Sequence, residues 1–198
     1  MSFLLGLTGS IGMGKSTTAG LFAAQSVPVW DADAAVHHLY GAGGAAVKPV
    51  AAAFPDALVD GAIDRARLRA ALACAPERLG ELEAIVHPLT AEDRAQFIAH
   101  HKAAPVLLFD IPLLFETGAQ DWLDAVVVVT APADVQKARV LQRPGMDDAT
   151  LARILQRQMP DSQKRQLADY IIETTSLPQA AAHVQQVLNA LPKGKPDA

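Results

Sequence analysis

The sequence predicts an α/β fold: a five-stranded parallel sheet with right-handed crossovers and a helical insertion. Three observations predict it. Short apolar runs alternate with helix-patterned stretches along the 198 residues, the arrangement of parallel strands joined by helices. One run, Ala125-Val126-Val127-Val128-Val129-Thr130, is β-branched and unbroken, as a strand buried on both faces should be. Between 45 and 102 the composition is mostly helical and no strong strand signal occurs.

The first strand runs from Phe3 to Thr8, and a helix follows its loop to about Ala24. That loop is Gly9-Ser10-Ile11-Gly12-Met13-Gly14-Lys15-Ser16, then Thr17. It fits G-x-x-x-x-G-K-[ST], the phosphate-binding P-loop, in the required strand–loop–helix context. Glycines let the backbone bend so that successive N–H groups point inward at a polyphosphate. The helix starting near Lys15 adds its unpaired N–H groups and positive dipole end. The ATP-binding set is therefore Gly9, Ile11, Gly12, Met13, Gly14, Lys15, Ser16 and Thr17. Lys15 reaches the β- and γ-phosphates, and the Ser16 hydroxyl is placed for Mg²⁺. The core is thus of the P-loop NTPase type.

Val27-Pro28-Val29-Trp30 reads as a second strand ending at Asp31-Ala32-Asp33, with a helix on to Tyr40. Gly41-Ala42-Gly43-Gly44 marks a break. Helices are expected at 45–53, 65–75 with Asp64 as N-cap, 77–87, and from Pro88 to about 102. A loop or small hairpin spans 54–61. The core resumes with Val106-Leu107-Leu108-Phe109-Asp110, and after residues 125–130 a helix is expected over 132–142. Arg143-Pro144-Gly145 breaks it, and one further helix is expected over 146–159. Tyr170-Ile171-Ile172-Glu173 is the last strand, 177–191 an amphipathic helix and 192–198 a frayed tail.

Composition excludes several classes. Hydrophobic residues make up 51% of the chain, too many for a disordered protein. A formal charge of −4 argues against a general nucleic-acid surface. The single cysteine, Cys74, rules out an intramolecular disulfide and a cysteine zinc site, and its place beside Leu68, Ala71, Leu72 and Ala75 reads as a buried thiol. No stretch approaches the roughly 18 apolar residues of a membrane span, and no basic n-region precedes the first strand. A soluble cytoplasmic protein is expected, a monomer or weak homo-oligomer, with no nucleic-acid or membrane partner.

Ligands of open α/β sheets sit beyond the carboxyl ends of the strands. Asp33 is the candidate to accept a proton from, or orient, an attacking hydroxyl. Asp31 has two readings, positioning substrate or capping the following helix. Asp110 likewise reads as a Mg²⁺ ligand through water or as a turn residue. Glu116 bonds substrate or faces solvent. The basic stretch 139–165 suits a lid closing over ATP, with Arg139 and Arg143 nearest the hinge and Arg153, Arg157 and Arg165 on the surface. Taken alone, His87 before Pro88 reads as a helix-end cap.

The chain resembles the dephospho-CoA kinase family. The resemblance rests on the P-loop with Leu7-Thr8, on Asp31-Ala32-Asp33, on Asp60-Gly61 with Asp64-Arg65 and Leu68, and on Leu82-Glu83 leading to His87-Pro88. Pro112-Leu113-Leu114-Phe115-Glu116, Gln136 with Arg139 and Arg143, and Ala168-Asp169-Tyr170-Ile171-Ile172 complete it. It implies ATP-dependent phosphorylation of the ribose 3′-hydroxyl of dephospho-CoA. It implies one domain, residues 1–198, with a P-loop core (1–40 and 102–198), a helical substrate-binding insertion (41–101) and a lid (about 143–165). It makes Asp33 the base, with Lys15 and Arg139 stabilising the phosphates. Asp31, Arg65, His87, Phe115 and Glu116 join Asp33 on the substrate side. The chain departs from the family pattern at Ser10, where Gly is usual, and at Met13, where a small residue is common. Glu173-Thr174 stands where Asp-Asn is usual, at the place of any adenine contact.

Two other readings compete. A P-loop kinase of a nucleoside or sugar acid would share the core but lack the His-Pro and Pro-Leu-Leu-Phe-Glu elements. A nucleotide switch would need an Asn-Lys-x-Asp element, which this sequence lacks.

Overall fold

The structure is a computed structural model that describes residues 1–192. The tail expected over 192–198 therefore lies, beyond Pro192, outside the described residues. The chain forms two compact units, residues 1–30 with 101 onward, and residues 31–100. In chain order it runs β1 (Phe3–Thr8), α1 (Lys15–Ala24), β2 (Val29–Asp31), α2 (Ala32–Tyr40) and α3 (Val47–Ala53). The short strands β3 (Leu58–Val59) and β4 (Ala62–Ile63), then α4 (Arg65–Cys74) and α5 (Leu79–His100), follow. Next come β5 (Val106–Asp110), β6 (Ala125–Thr130), α6 (Ala133–Leu141), α7 (Asp148–Leu155) and α8 (Asp161–Leu167). β7 (Tyr170–Glu173) and α9 (Leu177–Ala190) end the described chain.

The sheet has the order β2-β5-β1-β6-β7. β1 is central and parallel to both neighbours, with Leu5 opposite Leu108 on one side and Ala125 on the other. β6 and β7 are also parallel. β5 and β6 are buried at every residue, which is why their sequences are apolar runs rather than alternating patterns. Leu5, Leu7, Val127, Val129 and Ile172 pack with Phe22 of α1 and with Ala180, Val184 and Val187 of α9. Two aspartates secure the strand starts. Asp124 accepts from Leu4 N–H at 2.8 Å and returns its own N–H to the Leu4 carbonyl at 2.8 Å. Asp169 does the same with Val126, at 2.8 and 3.0 Å.

The helical unit has its own core of Leu39, Val50, Phe54, Ile63, Leu68, Leu82 and Val86. Asp64 caps α4, accepting from Ala66 and Arg67 N–H at 2.8 Å each. The loop or hairpin expected over 54–61 is a hairpin, with β3 and β4 antiparallel. Arg78 lies 4.3 Å over the Phe54 ring and donates to the Ala53 carbonyl at 2.7 Å.

Four expectations are corrected. The helices expected to meet at His87-Pro88 are one 22-residue helix, α5, with Pro88 inside it. An interior proline costs a helix about 3 kcal/mol, but Leu82 and Val86 on the preceding turns are buried in the unit's core, and packing overrides propensity. The unit begins at Asp31 rather than at 41, because Leu39 and Tyr40 of α2 pack into its core. The single helix expected over 146–159 ends at Leu155, and α8 forms separately. Pro160 lies between them; it lacks an N–H and disfavours helix at Met159. Cys74 is exposed: it lies six residues beyond buried Leu68, about 240° around the helix, off the inward stripe.

Candidate functional site

The loop after β1 is built by close approach. A Cβ on Gly9 would meet the Val129 carbonyl oxygen of β6 at 2.7 Å, so only glycine fits there. Gly14, the N-cap of α1, has φ 87° and offers no side-chain cap. The first-turn N–H groups of α1 are thereby left without a side-chain partner, which makes them an anion-binding end. Lys15 Nζ donates to Asp110 Oδ1 at 2.5 Å, with the carboxylate 4% exposed. Asp110 ends β5, so its partner is the P-loop lysine. Ser16 and Thr17 are exposed.

Residues far along the chain brace this loop. Thr174 donates through Oγ1 to the Met13 carbonyl at 2.7 Å. Arg139, half-buried on α6, donates to Thr174 Oγ1 at 3.1 Å and to its carbonyl at 2.5 Å. Met13 is buried, and its sulfur accepts from Ala131 N–H at 3.1 Å. Gln136 donates to the Ile11 carbonyl at 2.8 Å, and Gln158 Oε1 accepts from Ile11 N–H at 3.1 Å. Sequence reasoning missed Thr174 and Gln158 as loop-bracing residues. Thr174 read only as a departure from a pattern, and nothing local to Gln158 points 147 residues back to Ile11.

Arg143, expected to join Arg139, is exposed. Arg153, Arg157 and Arg165 are exposed as expected, but Lys164 of the same basic stretch is wholly buried. It pairs with Glu116 at 2.8 Å, whose carboxylate also accepts from Met159 N–H at 2.7 Å. Glu116 is an exposed residue whose carboxylate is engaged by Lys164 and Met159. Burial pushes its pKa up, but hydrogen bonds from Lys164 and Met159 outweigh this and hold it below the ordinary value.

Beside Met13 lies a cavity of about 450 Å³ lined by Thr130, Gln136, Asp161, Arg165 and Glu173. Thr130 Oγ1 donates to Asp161 Oδ2 at 2.8 Å, while Asp161 Oδ1 is buried with no hydrogen-bond partner among the described residues. Phe115 lines a second cavity of about 450 Å³ with Leu123, Met159 and Leu167.

The remaining candidates lie in the helical unit. Asp31 accepts from Ala34 N–H at 3.0 Å and caps α2. Asp33 is exposed in the first turn of α2, where the helix dipole favours a carboxylate. Arg65 opens α4 and is exposed. Burial raises the Tyr40 pKa, and the Arg65 charge partly offsets this. His87 is exposed inside α5 and caps nothing, which corrects the reading of it as a helix-end cap. Among the described residues no group of three or more His, Cys, Asp or Glu side chains could hold a metal, and no helix is long and apolar enough to cross a membrane.

The family model described as dephospho-CoA kinase matches residues 3–179. A dephospho-CoA kinase of Jannaschia sp. is 55% identical over 194 residues, covering 98% of this chain and 100% of the relative. A crystal structure from Thermus thermophilus superposes with a TM-score of 0.86 at 32% identity, over 96% of this chain and 97% of the other. The Campylobacter jejuni dephospho-CoA kinase structure does so with a TM-score of 0.70 at 25% identity, over 96% of each chain.

Proposed function

The chain belongs to the dephospho-CoA kinase family, and from that premise we propose that it phosphorylates the ribose 3′-hydroxyl of dephospho-CoA. ATP gives its terminal phosphate, and the products are coenzyme A and ADP. The observation that carries the reading is the loop itself: an uncapped helix N-terminus behind Gly14, with the Lys15 ammonium held at its mouth by Asp110. Such a loop binds the phosphates by backbone N–H groups and places a cation against the transferring group.

Roles for individual side chains follow from chemistry and the resemblance. Lys15 and Arg139 stabilise phosphate charge. Asp33 takes or orients the acceptor's proton; its carboxylate is exposed and has no hydrogen-bond or ion-pair partner among the described residues. Arg65 and His87, both exposed, belong to the substrate side. The segment from about Arg143 to Arg165, carrying α7, serves as the lid. Ser16 and, through water, Asp110 would hold Mg²⁺. That donor set fits, because a magnesium ion bound mainly by phosphate oxygens and water needs only one or two protein oxygens. When bound, the ion neutralises charge on the phosphates.

The test is ADP release from Mg-ATP with and without dephospho-CoA, with mass detection of the product. Acceptor-dependent release with one added phosphate on the substrate is expected. ADP release indifferent to dephospho-CoA would overturn the substrate assignment and send the search to nucleosides and sugar acids.

A further inference from the structure

Ile11 of the P-loop is held at both of its backbone polar atoms. Its carbonyl accepts from Gln136 Nε2 of α6 at 2.8 Å. Its N–H donates to Gln158 Oε1 at 3.1 Å. Gln136 is 7% exposed and sits on a regular helix, so that side of the grip is part of the packed core. Gln158 is different. It lies three residues past the end of α7 and is only partly buried.

The next residue explains why Gln158 can hold its position. Met159 N–H is bound by Glu116 at 2.7 Å, and Glu116 is paired with wholly buried Lys164. The chain is therefore anchored immediately after Gln158. On the other side, α7 carries the salt bridge from Asp148 to Lys137 of α6, and both of those side chains are more than half exposed. Exposed pairs of this kind hold weakly. Gln158 thus stands between α7, which is tied by buried Leu151 and one exposed ion pair, and a stretch of chain rooted by Glu116, and it is there that the segment touches the phosphate loop.

We infer that Gln158 is a positioning residue for phosphate binding: it couples the α7 segment to the P-loop by fixing the Ile11 peptide. A flexible loop must be ordered before its N–H groups can converge on an anion, and pre-ordering lowers that cost. The Gln158 bond supplies such ordering from outside the loop. The inference deepens the kinase reading and rests on it only for the identity of the acceptor.

The experiment compares wild type with Gln158→Met, which keeps size and replaces the amide oxygen by a much weaker sulfur acceptor, and Gln158→Glu, which keeps an oxygen acceptor for the Ile11 N–H. Three quantities are read: ATP dissociation constant by calorimetry, kcat and KM for ATP, and hydrogen-exchange protection of the Ile11 amide in nucleotide-free protein. Gln158→Met is expected to unprotect the Ile11 amide and weaken ATP binding about tenfold, the scale of one hydrogen bond, while kcat changes little. Gln158→Glu is expected to retain the amide protection. Unchanged ATP affinity in Gln158→Met, or equal Ile11 protection in Met and Glu variants, overturns the inference. A failed substrate assignment would show separately, as no dephospho-CoA dependence in wild type, and the calorimetric comparison would still decide the role of Gln158.

Discussion

Lys15 Nζ, at the start of α1, lies 2.5 Å from Asp110 Oδ1, at the end of β5, with both side chains largely buried. The lysine is thus aimed by β5 before any phosphate arrives. Breaking such a pair by removing one partner typically costs about 3–5 kcal/mol when burial is deep. Lys15→Met should therefore do two things at once. Turnover should collapse, and thermal denaturation should show a lowered midpoint. A variant with normal ATP affinity would contradict the role given to Lys15.

Asp33 offers the opposite case. It is exposed and outside the packed core, so Asp33→Asn should fold, with a melting temperature lowered only by the lost helix-dipole contribution of about 0.3–1 kcal/mol. Turnover should fall on the order of 10²–10⁴, the range for a positioned base. Steady-state kinetics beside a melting curve checks both halves, and near-wild-type turnover would remove Asp33 from the role.

Thr174 bridges Arg139 to the Met13 carbonyl. Thr174→Val keeps the shape and deletes the hydroxyl. It should leave a buried carbonyl short of a donor and lower stability by about 1–3 kcal/mol, with a raised KM for ATP. Thr174→Ser should recover most of both. A valine variant equal to wild type in denaturant midpoint and KM would show that the bridge contributes nothing.

The Glu116–Lys164 pair gives a pH signature. The Glu116 pKa is lower in the folded protein than its ordinary value of 4.5. Its contribution is then fully present above that value and is lost as pH falls through the depressed folded pKa. In acid titrations followed by circular dichroism, Glu116→Gln should be less stable than wild type at neutral pH, and the difference should shrink below about pH 4. A difference independent of pH would contradict the ion-pair assignment.

Much of the fold is legible in the chain because its signals are local. β6 and β7 fall where apolar runs place them, and Asp64 caps α4 as its position before Arg65 predicts. The P-loop is legible for the same reason: Gly14 supplies a positive φ at the start of α1, a demand that one residue meets by itself. Local signals failed where packing decided. Pro88 reads as a helix boundary, yet α5 passes through it because Leu82 and Val86 bury against the rest of their unit. Cys74 reads as apolar and inward, yet its angular position on α4 exposes it.

The sequence alone settled the kind of chemistry, because a phosphate loop is made of consecutive residues whose backbone does the binding. Only the tertiary structure decided which distant side chains hold that loop in shape. Asp110, Gln136, Gln158 and Thr174 reach it from 95 to 161 residues away. Hydrogen bonds across such separations leave no periodic or spacing signal. They exist because a parallel sheet gathers the ends of its strands, and the segments that follow them, at one edge.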